Sequence, residues 1–312
     1  MSEQQKFKTS IGGQALLEGI LMRGPEKQAI VVNTPDGYVI KEEPVKLPKD
    51  KYPILGWPII RGVANFISSM VTGVRATTFS AECLPEEMSE EPSRFEKWVN
   101  EHIGGEKAEK LLVGVSVFLG IVLAIVLFML LPTVITGFLG KFIDSRILLN
   151  LLEGAVRICI FLAYLWLATK LEDIKRVWMY HGAEHKTIYC YEAGLELTVE
   201  NCRGQSRMHP RCGTSFMFIV MIVSILVFSV VSWSNVWIRM GLRILLLPVV
   251  VGISYELIKL AGRYDNAFTK IISAPGKALQ HLTTREPDDE MIKVAIEALK
   301  RVLPEEEGSD RW

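Results

Sequence analysis

Two imidazoles and a carboxylate stand within five residues in the stretch YHGAEHKTIYCYEAG, at His181, Glu184 and His185. On a helix, residues four apart lie one turn above each other on one face. Both rings can therefore reach a single metal ion, while Glu184, next in sequence, can hold a water bound to it. The order is H-x-x-E-H, the reverse of the H-E-x-x-H of zinc peptidases. A divalent metal lowers the pKa of its water toward neutrality, and a neighbouring carboxylate takes the proton as that water attacks a carbonyl or phosphoryl centre. Glu184 is the candidate catalytic base.

A second cluster follows at Arg207-Met208-His209-Pro210-Arg211-Cys212-Gly213, so three of the five histidines fall within twenty-nine residues. Catalytic zinc takes three protein ligands and keeps one position open, which His181, His185 and His209 would satisfy. Cys212 could replace one of them or close the set into a structural site. The expected cofactor is a divalent metal, with zinc favoured by imidazole and thiolate donors, although iron, manganese or cobalt also accept imidazoles. Glu256, seventy-one residues after His185, matches the distant glutamate ligand of inverzincins. Each residue also has a plainer role: the histidines bonded to Glu184 or Glu192, Cys212 as a packing residue, and Glu256 paired with Lys259 or an arginine of another helix.

The elements that carry these residues include long apolar blocks. The chain has 312 residues, 49% hydrophobic and 22% charged, and a mean hydropathy of +0.26. Its apolar residues are concentrated, and about 20 suffice to cross a bilayer core of about 30 Å as a helix. Four spans are expected, at about 111–140, 147–169, 214–232 and 236–260. The first contains Pro132 and the second carries Glu153 and Arg157 four apart, placed to pair inside a bundle. Thirty-five basic and thirty-five acidic side chains cancel, so no overall field points to nucleic acid. The five cysteines form no CxxC pair, and reduced thiols are expected.

Seven basic residues lie in the segment 170–212, against Lys141 and Arg146 after the first span. The positive-inside rule then puts this histidine-bearing segment and both termini in the cytosol, in a multi-pass protein of the cell membrane. Residues 1–52 read as a small β-rich unit with turn signals at Arg23-Gly24-Pro25 and Pro35-Asp36-Gly37. Residues 53–110 read as interfacial or amphipathic helices and a linker. Within them, 54–81 is apolar but broken by Arg61 and Arg75, so it suits the interface or the bundle surface, with a fifth span as the alternative. Residues 264–312 read as a helical cytosolic tail, with acids at the start of MIKVAIEALKRVL and a loose end at PEEEGSDRW.

Several blocks together resemble the YqhQ-like family. They are Gly12-Gly13-Gln14-Ala15 with Glu18-Gly19 and Met22-Arg23-Gly24, then Tyr180 to Thr187, His209 to Thr214, Tyr255-Glu256, and Thr283-Thr284-Arg285-Glu286-Pro287-Asp288-Asp289. That resemblance implies a bacterial inner-membrane protein of a family of unknown function, sometimes labelled as metal-dependent enzymes. It also draws Gln14, Glu18 and Arg23 into the candidate site, where a glutamate and an arginine on a Gly-rich turn could bind a substrate carboxylate or phosphate. Local ion pairing is the alternative. The leading expectation is an integral-membrane hydrolase whose cytosol-facing metal site is built on H-x-x-E-H, with membrane lipids as surroundings and homo-oligomerisation open. A scaffold with a structural metal site, or a small transporter using Glu153, Arg157 and Glu256, are the other readings.

Overall fold

The structure is a computed structural model describing residues 7–85, 93–229, 236–264, 266–306 and 308–311. The chain divides into two compact units, one of residues 1–83, 164–224 and 245–312, the other of 84–163 and 225–244.

The first unit contains an antiparallel sheet of β1 (Gly12–Leu16), β2 (Gly19–Arg23), β3 (Lys27–Thr34) and β4 (Gly37–Pro44), in that spatial order. Its hairpins follow the turn residues. Pro35-Asp36 joins β3 to β4, and Gly37 supplies the positive φ of +115° that the turn requires. One face presents Ile20, Met22, Ala29 and Val31 to a core shared with α7 (Glu172–Glu192) and α12 (Asp289–Val302). The β unit and the C-terminal helix, distant in sequence, thus bury the same apolar surface. Asp288 caps α12 by accepting from the Met291 amide at 2.8 Å, as its acidic start implies. The end of the chain differs from expectation. Asp310 is fully buried, its carbonyl accepts from the Ser10 amide at 2.6 Å and its carboxylate from the Thr9 hydroxyl. A buried carboxylate needs such partners, so the tail is tied down.

A short helix α1 (Pro48–Lys51) precedes α2 (Ile60–Glu82). Small residues let α2 lie close to its neighbours. A Cβ at Gly62 would sit 2.7 Å from the Tyr255 side chain, and one at Gly73 only 2.5 Å from the side-chain amide oxygen of Gln14. Its other side exposes Ile67, Met70 and Val71. The helix is amphipathic, and it is not among the helices with the length and composition of a span.

Among the described residues, three helical stretches are long and apolar enough to cross a membrane, Lys107–Leu139, Ile147–Ala168 and Ile238–Arg263. They correspond to expected spans one, two and four. The described part of the third apolar helix, α9 (Gly213–Ser229), has 17 residues, or about 26 Å at 1.5 Å per residue. The last three residues of that expected span, 230–232, lie outside the described residues. In the second unit, α3 (Arg94–His102) precedes α4 (Gly105–Ile125), and a π-helical turn at Val126–Leu130 joins α4 to α5 (Leu131–Leu139). Pro132, two residues beyond the turn, cannot donate an amide to the α ladder.

The second unit also buries charge. Glu153, on α6 (Arg146–Ala168), accepts from Arg243 of α10 (Val236–Arg263), with Nη2 to Oε2 at 3.0 Å, and from the Thr133 hydroxyl at 2.8 Å. The expected partner Arg157 lies 3.5 Å away. Arg243 is thus the closer counter-ion, reached across helices rather than along one.

Candidate metal centre

The helix that bears the motif begins after a break. Lys170 and Leu171 turn back onto the carbonyls of Leu167 and Ala168, and α7 then runs unbroken from Glu172 to Glu192. The change of direction lies at 169–171, and Gly182 is mid-helix. Its role is steric, because a Cβ there would run into the Arg285 carbonyl. The missing side chain lets the segment 284–287 lie against α7, pinned by the Arg285 amide donating to the Trp178 carbonyl at 2.9 Å.

That segment orients the first ligand. His181 donates Nδ1–H to the Thr283 carbonyl at 2.8 Å, which turns Nε2 toward Cys212 Sγ at 3.0 Å. One turn on, His185 donates Nδ1–H to the Arg207 carbonyl at 2.6 Å. Its Nε2 is left buried with no hydrogen-bond partner. In both rings a backbone carbonyl accepts from Nδ1–H and turns Nε2 toward the cluster, as the outer shell of a metal site does for its histidines. The two rings are 4.4 Å apart, and ligand atoms of His181, His185 and Cys212 all lie within 4.8 Å of one another.

The charges agree with a soft-donor site. Burial opposes ionisation of Cys212, yet His181 and His185 hold its pKa well below the ordinary thiol value. Burial likewise opposes protonation of His181, but the Cys212 sulfur outweighs it and raises the imidazole pKa to about 9. The two imidazoles thus favour the sulfur anion against the cost of its burial. Beside it, burial pushes the Glu184 carboxyl upward, partly offset by His181 and His185. Glu184 is held by the Gly13 amide at 3.1 Å, and the absence of a side chain at Gly13 makes that approach possible, since a Cβ would stand 3.0 Å from the Glu184 carboxyl carbon.

His209 is placed differently. Its backbone is clamped by Gln280, which accepts from the His209 amide and donates to its carbonyl, both at 2.7 Å. Its Nε2 faces Glu192 at 3.5 Å, and Arg211 pairs with the same carboxylate. Burial foremost, with Arg211 and His185, lowers its pKa to about 4, and its ring nitrogens are not among the ligand atoms that converge within 4.8 Å. Glu256 is also apart, paired with Arg61 of α2, Nε to Oε1 at 2.7 Å. Glu18 occupies the β1–β2 turn at φ +50°. Its carboxylate accepts from Arg176 Nη2 at 2.6 Å and from the Tyr180 hydroxyl at 3.3 Å, an ion pair that locks the hairpin to α7. Side chains alternate across a strand. Met22, opposite Gly13, faces the α7 side, so Arg23 and Gln14 face the other, where they line a separate cavity. The sheet therefore separates these two residues from the histidines.

A profile of the family described as "Protein of unknown function (DUF1385)" matches residues 57–305. The uncharacterized protein YqhQ of Bacillus subtilis (strain 168) is 34% identical over 313 residues, covering 96% of this chain and 94% of that protein. The chain belongs to this family. No solved structure matches it. The matched region of the DUF1385 chain contains both halves of the cluster, on α7 and at Cys212. What sequence reasoning missed are the orienting carbonyls of Thr283 and Arg207 and the buried Glu192–Arg211 pair. The block beginning Thr283-Thr284, one of those that carry the resemblance, was the available signal for the first of these.

Proposed function

We propose that this DUF1385 chain is an integral-membrane, metal-dependent hydrolase with His181, His185 and Cys212 as ligands and Glu184 as general base. One observation carries the reading: three soft or borderline donors converge within 4.8 Å, and one of them, His185 Nε2, is buried and unpartnered. An orphaned buried nitrogen is costly unless something binds it. Two nitrogens and one sulfur suit zinc, and three protein ligands leave a position open. A metal held there would supply Lewis acidity to a carbonyl or phosphoryl oxygen.

The remaining work falls to the chain. Thr283 and Arg207 carbonyls hold the imidazoles with Nε2 toward the cluster, and the Gly13 amide holds Glu184 beside them. Burial lifts the Glu184 pKa toward the range where a carboxylate can both take and return a proton. His209 supports the site as a neutral packing residue rather than as a ligand. The apolar helices make the cell membrane the setting, with the site and both termini on the cytosolic side by the positive-inside rule.

Cobalt replacement tests the ligand set. Detergent-purified protein reconstituted with cobalt should show a thiolate charge-transfer band that Cys212→Ser abolishes. A metal that binds without such a band would remove Cys212 from the set. Hydrolysis of test esters and phosphodiesters should be lost in Glu184→Gln with the metal retained; full activity in that variant would leave a structural metal site in a scaffold.

A second reading follows from the 3.0 Å contact of Cys212 Sγ with His181 Nε2. This contact and the lowered thiol pKa also fit a cysteine nucleophile with a histidine base. Metal-independent alkylation of Cys212 by iodoacetamide at neutral pH, suppressed in His181→Gln, would favour it.

A further inference from the structure

On the face of the sheet away from Glu184, β1, β2 and α2 enclose a cavity of about 520 Å³. This is within the range of small-molecule sites. Among the described residues that line it, Arg23 is the one charged side chain and none is a carboxylate. Among the described residues, no hydrogen bond or ion pair engages the Arg23 guanidinium, whereas Arg61, Arg176 and Arg211 of the same unit each pair with a glutamate. Burial lowers the Arg23 pKa, with only Tyr255 opposing. A half-buried guanidinium without a counter-ion is a costly arrangement for a fold to keep.

The rest of the lining fits what would relieve that cost. Asn65, Ser69 and Thr72 fall at i, i+4 and i+7 of α2 and turn one polar stripe into the cavity, with the Tyr255 hydroxyl joined to Asn65 at 2.9 Å. Leu21, Pro25, Val45 and Leu47 line it with apolar surface. Gly12, opposite Arg23 in the β1–β2 register, leaves open space, since a Cβ there meets no atom within 4 Å.

We propose that this cavity is a binding site for an organic phosphate, with the phosphate on Arg23 and the hydroxyl and amide groups of α2, and a short apolar portion against β2 and the segment after β4. Guanidinium matches phosphate through parallel hydrogen bonds. The number of donors converging here exceeds what one carboxylate accepts. The ligand is either a soluble phosphate ester or a lipid headgroup. The exposed Ile67, Met70 and Val71 on the opposite side of α2 keep the second source in reach, because such a face suits the membrane interface. The inference does not rest on the metal reading.

Two probes distinguish the sources: calorimetry of the detergent-purified full chain with glycerol phosphate, and native mass spectrometry from mixed micelles of phosphatidic acid and phosphatidylcholine. Saturable glycerol phosphate binding marks a soluble ligand; selective retention of phosphatidic acid alone marks a lipid. Either binding should weaken about tenfold or more in Arg23→Gln, the loss expected for charge-assisted hydrogen bonds. Arg23→Lys should recover part of it. Gly12→Leu fills the cavity while keeping Arg23, and should abolish binding with an unchanged melting midpoint. Metal-free His185→Ala should bind as wild type does, which separates this result from the fate of the metal site. No binding of either probe by wild type, or equal binding by Arg23→Gln, overturns the proposal.

Discussion

Gly182→Ala examines the joint between the histidine helix and the segment that orients it. The added Cβ runs into the Arg285 carbonyl, with further contacts of 3.2 Å to its carbon and 3.4 Å to Pro287. The segment that carries this carbonyl is tied to α7 through the Arg285 amide bonded to Trp178. Alanine at a helix interior gains about 1 kcal/mol over glycine. Relieving a backbone clash in a packed site costs about 3 kcal/mol. The net is a loss of about 2 kcal/mol, or a melting midpoint lower by about 4–8 °C for a unit of this size. The displaced segment also carries the Thr283 carbonyl that fixes His181, and loss of such an outer-shell bond weakens metal binding by about tenfold or more. Differential scanning fluorimetry in detergent and a competitive chelator titration read the two effects. Gly12→Ala, with open space at its Cβ, is the control and should stay within about 0.5 kcal/mol of wild type. Gly182→Ala with wild-type midpoint and metal affinity would refute the placement of residues 284–287 against α7.

Other expectations follow from the same contacts. Glu192→Leu leaves buried Arg211 without its carboxylate and should cost about 3–5 kcal/mol in denaturant titration. Although burial pushes the Glu192 pKa upward, His209 and Arg211 hold it below the ordinary carboxylate value. The stability this lends is therefore complete above the unfolded pKa of 4.5 and is lost as pH falls through the lower folded value. Acid unfolding of wild type should be steeper there than that of Glu192→Gln. His209→Asn should keep bound metal while lowering the midpoint, because the ring serves Glu192 rather than the cluster; loss of metal would restore His209 as a ligand. Glu153→Gln should destabilise the helices by leaving Arg243 uncompensated, with no change in metal content.

Much of the architecture is legible in local pattern. The apolar blocks mark the long helices, Pro-Asp-Gly marks the β3–β4 hairpin, and the spacing of His181 and His185 is sufficient to put both rings on one helix face. What was not legible depends on partners far away in the chain or without side-chain identity. The carbonyls of Thr283 and Arg207 orient the histidines, and a carbonyl is common to every residue type. Glu18 meets Arg176 over 158 positions, and Glu256 meets Arg61 over 195, so each glutamate looked available in sequence and is spent on an ion pair. His209 lies in the expected neighbourhood, but Arg211 and Glu192, two residues from it and seventeen residues before it, decide where its ring turns. Only the strand alternation that sends Arg23 to the opposite face from Met22 was available in advance, and it needed the sheet to show which face was which.

The metal site is decided by the metal content of detergent-purified protein, measured by plasma mass spectrometry for wild type, His185→Ala and Glu184→Gln. Close to one divalent ion per chain is expected in wild type and Glu184→Gln, and little in His185→Ala. Well-folded wild type without metal, or His185→Ala that keeps it, would refute a metal site at these residues.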